Sequence, residues 1–173
     1  LVSTTREFLL ASAGDSERWP DDDECLRAFL KSPMYLRMNR SRIRMILEAI
    51  EGQMRTSKSE RVSLPSRLTL EHVLPQAWGQ YWPLEDASPE AEAERDNAIH
   101  TIGNLTLVSG GLNPALSNAA WSSKKPELLK HSILMLNHYF QGVDAWAEDE
   151  IRVRAHVLHK SAVSVWKHPN TTR

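Results

Sequence analysis

The sequence predicts an α+β fold that is mainly helical, with a small pair of strands near its middle. Two short stretches have strand character: the run ending at Glu71 and His72, and Thr101 to Ser109 with Ile102, Leu105, Leu107 and Val108. Elsewhere apolar residues recur three and four positions apart, the period of a helix with one buried face. Turn-forming residues punctuate these segments, among them Gly14, Ser32-Pro33, Pro75, Ser88-Pro89, Gly110-Gly111 and Gly142.

Taken in order, Phe8, Leu9 and Leu10 form a short apolar patch before the Gly14-Asp15-Ser16 break and Trp19-Pro20. Asp21 to Asp23 put negative charge at the start of a helix running to about Lys31, where the helix dipole favours it. Cys25, Leu26, Phe29 and Leu30 share one face of that helix, and Ser32-Pro33 ends it. The next segment carries Arg37, Arg40, Arg42 and Arg44, then Met45, Ile46, Leu47 and Ile50 at helical spacing, with Gly52 near the stop. These arginines form either a solvated helix face or a phosphate-contacting edge, a role that suits Arg because guanidinium pairs bidentately with phosphate oxygens. Residues 55 to 67 are polar and read as a linker or exposed loop into the first strand. Ser88 and Pro89 predict an N-cap and first position for a helix reaching about His100. Trp78, Tyr81 and Trp82, just ahead of it, are expected to pack rather than stack on bases. A turn or short helix is expected from Pro114. After Trp121, Leu128, Leu129, Ile133, Leu136 and Phe140 form one apolar stripe ended by Gly142, and a last helix carries Ile151, Ala155, Leu158, Ala162 and Val165.

A chain of 173 residues is long enough to bury a core as one compact domain, with a helical region at 1–67, a central unit at 68–125 and helices at 126–173. Its net charge of −1 neither demands nor forbids a nucleic-acid partner, because a local basic face is cancelled in the sum by acidic helices. Cys25 is the single cysteine, so an internal disulfide or a Cys-based zinc cluster is excluded and a reducing cytoplasm fits. No apolar run approaches the roughly 20 residues of a membrane span. The chain begins at Leu1 without a signal-peptide pattern and reads as a piece of a longer protein whose missing part lies upstream. His131 with His138 and His156 with His159 lack an acidic or Cys partner at zinc-site spacing. No phosphate-binding glycine loop, dinucleotide fingerprint or nucleophile elbow is present.

The central unit carries the chemistry: Glu71-His72-Val73-Leu74-Pro75, then Gly103-Asn104-Leu105-Thr106-Leu107, then Ser109-Gly110-Gly111-Leu112-Asn113, Leu116-Ser117-Asn118 and Lys124-Lys125. In order and spacing this resembles the HNH, or His-Me finger, nucleases, and more narrowly the C-terminal nuclease domain of GmrSD-type restriction proteins, including phosphorothioation-sensing effectors of the Ssp type. The resemblance covers about a third of the chain. It implies a ββα-Me unit enclosed by a helical domain, acting as a metal-dependent DNA endonuclease or nickase in bacterial anti-phage defence. It also implies an upstream, N-terminal NTP-binding sensor domain in the same protein and modified DNA, such as glucosylated or phosphorothioated DNA, as target.

On that reading His72 is the general base, a role open to an imidazole whose ordinary pKa is about 6.5. Cleavage is then expected to fall as pH drops below about 6.5. Glu71 and Asn113 are the expected oxygen ligands of one Mg²⁺ or Mn²⁺, an ion that keeps several waters and needs few protein ligands. Asn113 stands where many HNH enzymes have a histidine, and it precedes Pro114, so it either binds metal or caps a helix. Glu71 and His72 are neighbours on a strand and share a site only if the strand bends or ends there. Asn104 is expected in the second strand, either orienting the imidazole and fixing the loop or serving as a turn residue. Asn118 and Lys124 or Lys125 are candidates for the scissile phosphate or the leaving oxygen, and Arg40, Arg42, Arg44 and Lys125 for the DNA backbone. The alternative is a non-catalytic DNA-binding or interaction module that keeps the fold.

Overall fold

The computed structural model describes residues 2–12, 14, 18–55, 68–109, 118–130 and 133–169. Within them run helices α1 (Val2–Ala11), α2 (Asp22–Lys31), α3 (Met34–Arg37) and α4 (Arg40–Met54), strand β1 (Leu68–His72), helix α5 (Pro89–Ala98) and strand β2 (Leu105–Ser109). Helices Trp121–Lys130, Met135–His138 and Glu148–Val165 follow. The strands pair antiparallel, from Leu68 opposite Ser109 to His72 opposite Leu105.

Local chemistry explains where several helices begin. Asp21 caps α2: its carboxylate accepts from the Glu24 N–H at 2.7 Å while the Glu24 carboxylate accepts from the Asp21 N–H at 3.0 Å, a reciprocal capping box. Ser88 caps α5 through Ala91, with Pro89 in the first turn, as its sequence predicts. Among the described residues no helix is long and apolar enough to cross a membrane.

Two clusters of buried side chains hold these elements. In one, Phe29, Ile43, Leu47 and Ile50 from α2 and α4 meet Leu105 and Leu107 of β2 and Ala155, Leu158 and Ala162 of the last helix. In the other, Val73, Leu74, Trp82 and Ile99 pack with Trp121, Phe140, Trp146 and Ile151. Trp82 packs as expected, Trp78 is half-buried and donates its indole N–H to Asp96 at 3.0 Å, and Tyr81 is exposed.

Three expectations need correction. The second strand does not start at Thr101: Ile102–Asn104 is a 3₁₀ turn, and pairing begins at Leu105. The turn is held by buried Arg154, whose guanidinium donates to the Gly103 carbonyl at 2.7 Å and the Leu105 carbonyl at 2.8 Å. The stripe from Leu128 to Phe140 is not one helix. Ile133 is exposed, and the chain restarts as Met135–His138, because the buried Glu51 carboxylate accepts the Met135 and Leu136 N–H groups at 3.0 and 2.9 Å. Gly52 lies near the stop of α4, which ends at Met54, as expected. Val165, expected on the apolar face of the last helix, is 36% exposed. The loop proposed for 55–67 and the turn from Pro114 lie, apart from Arg55, outside the described residues.

Gly103 lies where the last helix packs tightly on the 3₁₀ turn: a Cβ there would sit 2.2 Å from the Ile151 carbonyl oxygen. That contact is with backbone and has no flexible end to swing away. Gly103→Ala is therefore expected to cost about 1–3 kcal/mol of stability, read as a lower urea midpoint at unchanged slope.

Candidate functional site

The site forms where β1 ends. Strand alternation gives Glu71 and His72 different partners. The Glu71 carboxylate meets the Lys124 ammonium at 2.8 Å, and the same ammonium donates to the His72 carbonyl at 2.6 Å. Lys124, from the Trp121–Lys130 helix, is fully buried, so that helix is tied to the end of β1. Burial pushes its ammonium below the usual lysine range, and Glu71 pulls it back up.

The His72 side chain is only 8% exposed and lies edge-on to the Tyr35 ring, with centroids 4.3 Å apart, and to His100 at 5.6 Å. Tyr35 and His100 stack at 5.7 Å with 13° between planes, and the Tyr35 N–H donates to the His100 carbonyl at 3.1 Å. Arg40 donates from Nε and Nη2 to the Tyr35 hydroxyl at 3.1 and 2.8 Å. His72 Nε2 and His100 Nδ1 are buried without a hydrogen-bond partner among the described residues. Burial above all, helped by His100, Lys124 and Arg40, pushes the His72 pKa down to about 3. Burial also lowers that of His100, against the pull of Asp96.

Asn104 is fully buried, and its side chain spends its whole hydrogen-bonding capacity on other groups. Oδ1 accepts from the Leu74 N–H at 2.8 Å and the Trp146 indole N–H at 3.0 Å. Nδ2 donates to the Leu74 and Ile99 carbonyls at 2.8 and 2.9 Å. An amide has two donors and two acceptor positions, so none is left for the imidazole. The contact expected between Asn104 and His72 is replaced by one to the residues after it: Leu74 through the side chain, and Val73, whose N–H donates to the Asn104 carbonyl at 2.9 Å. Asn104 thus fixes the loop that follows His72, through its side chain and its carbonyl.

Of the remaining candidates, Lys125 donates to the Val143 carbonyl at 2.8 Å, so its ammonium is engaged at the protein's own backbone. Asn118 is exposed in the turn before Trp121. Arg42 is exposed, and Arg44 pairs with Glu48 at 3.4 Å. Asn113 lies outside the described residues. His156 is exposed, and a ring nitrogen of His159 meets the Asp22 carbonyl at 3.0 Å, the ordinary placement expected of that pair.

The family described as GmrSD restriction endonucleases, C-terminal domain, matches residues 19–161. The chain belongs to that family. No curated protein and no solved structure gives a significant match. Family membership gives this GmrSD C-terminal domain a nuclease role in restriction, with DNA as substrate.

Sequence reasoning missed two residues that pack against His72, Tyr35 and His100. His100 reads from sequence as the end of a helix, and Tyr35 as one aromatic in a basic stretch; only the fold stacks them against His72. The donor chemistry bears on a metal as well. Among the described residues no three His, Cys, Asp or Glu side chains converge on one point. Glu71 offers one hard carboxylate, which fits a magnesium-type ion that keeps most of its waters and does not fit a closed zinc site.

The depressed His72 pKa predicts a pH dependence of stability in this domain. In the unfolded chain the imidazole returns to about 6.5. Below that value the unfolded state binds a proton that the folded state refuses, so stability is expected to fall as pH drops from about 6.5 toward 3; above 6.5 this group contributes no slope. Urea midpoints at successive pH values check this, and His72→Gln is expected to flatten the dependence.

Proposed function

We propose that this GmrSD-family domain hydrolyses DNA phosphodiesters by an HNH-type mechanism, with His72 as general base and one divalent ion held at Glu71. The observation that carries the reading is His72 itself: a neutral imidazole at the end of β1, with Nε2 unclaimed and cationic Arg40 and Lys124 nearby. Hydrolysis needs a base for the attacking water, positive charge against the phosphoryl oxygens, and help for the departing oxygen. His72 accepts the water's proton. Tyr35 and His100 hold its ring by edge contacts, and Lys124 and Asn104 fix the backbone from its carbonyl to Leu74. When bound at Glu71, with Asn113 as candidate second ligand, magnesium or manganese supplies positive charge to the phosphate and the leaving oxygen.

The finer context follows the family resemblance: a bacterial, cytoplasmic anti-phage protein in which an upstream NTP-binding sensor domain recognises modified DNA and this domain nicks or cuts it. The test is cleavage of supercoiled plasmid, unmodified, glucosylated or phosphorothioated, with Mg²⁺, Mn²⁺ or EDTA. Metal-dependent nicking or linearisation that fails in His72→Ala is expected. Undiminished cleavage in EDTA would remove the ion from the scheme, and undiminished cleavage by His72→Ala would remove the base. Binding without metal-dependent cleavage in either protein would favour the non-catalytic reading.

A further inference from the structure

We propose that Arg40, held by the Tyr35 hydroxyl beside His72, anchors the DNA backbone at the cleavage site, with Tyr35 as its positioning residue. The inference rests on the nuclease reading above and names the phosphate-binding group of that site.

The sequence offers several arginines in one stretch with no means of choosing among them. The fold separates them. Arg44 is partly neutralised by Glu48 at 3.4 Å, while Arg37 and Arg42 are exposed to solvent. Arg40 is fixed through Nε and Nη2 to a phenol oxygen, with its guanidinium carbon 4.6 Å from the Tyr35 ring centroid. A neutral phenol orients the guanidinium without cancelling its charge. Guanidinium has five N–H donors, and these bonds occupy the Nε side. The edge formed by Nη1 and the second Nη2 hydrogen remains, which is the fork that grips two oxygens of one phosphate.

Two further observations support this choice. The ring that orients Arg40 is the ring packed 4.3 Å from His72, so a phosphate on the fork lies beside the candidate base. Helix stability also fails to explain an arginine at this position. Arg40 opens α4, where the helix dipole disfavours a cation, whereas α2, α5 and the Glu148–Val165 helix place Asp and Glu in their first turns.

The test is binding of a short fluorescent DNA duplex by the full chain in EDTA, titrated across about 50 to 200 mM salt. Arg40→Gln is expected to weaken binding about 10-fold and to reduce the slope of log K against log salt by about 0.9, the value of one lost phosphate contact. Arg40→Lys keeps the charge and is expected to restore the slope while recovering only part of the affinity, because the fork is lost. Tyr35→Phe removes only the hydroxyl and is expected to weaken binding in the same direction by a smaller factor. Arg44→Gln is expected to leave the slope unchanged. An unaltered slope in Arg40→Gln, or an equal loss in Arg44→Gln, overturns the proposal. The two readings fail separately: wild-type DNA binding that depends on Arg40 without metal-dependent cleavage sinks the hydrolytic mechanism alone, whereas cleavage with an unaltered Arg40→Gln slope sinks the anchor alone.

Discussion

With His72 replaced by alanine, the protein is expected to bind DNA about as tightly as the wild type and to cleave it about 10²–10⁴-fold more slowly, the range lost with a general base. Binding survives because the imidazole is neutral and lends no charge to the phosphate backbone. The loss should appear in kcat more than in KM, as for a group acting chiefly in the transition state. Removing a packed ring also threatens the fold, so His72→Gln serves as a second variant, filling part of the space between Tyr35 and His100 without a usable base. A thermal melt near the wild-type value with cleavage still depressed assigns the loss to chemistry. Wild-type rates in His72→Gln would end the role. The fold also revises the expected pH profile. An unperturbed histidine places the acid limb near 6.5, but burial and three neighbouring cationic or titratable groups hold this one near 3, so the acid limb of kcat/KM is expected well below 6.5.

What was readable in the sequence was local. The acidic run from Asp21 to Asp23, and Ser88 with Pro89, mark helix starts by short-range signals, so the pattern alone places them; the Asp21–Glu24 capping box that fixes the first start is likewise local. The strand ending at His72 is readable for the same reason, because alternation and a following proline are short-range signals. The contacts that build the site are long-range. Lys124 reaches back to Glu71 and the His72 carbonyl from a helix beyond both strands, and Tyr35 meets His100 across all of β1 and α5. Periodicity carries no information about such pairs. Asn104 shows the same limit: Gly103-Asn104-Leu105 reads as strand, yet Arg154 and Trp146 pull the segment into a 3₁₀ turn from positions more than forty residues later. Glu51 breaks a continuous apolar stripe in the same way, by capping a helix from α4.

The Lys124–Glu71 pair yields the second large effect. Lys124→Met is expected to cost about 3 kcal/mol, near the lower end for breaking a buried ion pair, because Glu71 retains 16% side-chain exposure and some access to water. The His72 carbonyl loses its ammonium donor as well. Replacing both partners, Glu71→Leu with Lys124→Met, leaves no uncompensated charge and is expected to recover most of that stability. Urea unfolding of the two single variants and the double variant measures the coupling. A Lys124→Met loss below about 1 kcal/mol, or a double variant as unstable as the single, would show that the pair does not hold the end of β1. Magnesium then separates two roles for Glu71. In the wild type the ammonium shares the carboxylate, so a bound cation competes with it; in Lys124→Met that competitor is gone. If Glu71 is a ligand, added magnesium stabilises Lys124→Met more than the wild type, because an ion that binds only the folded state adds stability as the logarithm of one plus its concentration over its Kd, which grows as Kd falls. Equal shifts in the two proteins would instead leave Glu71 as the counter-charge that holds Lys124, with the ion bound elsewhere.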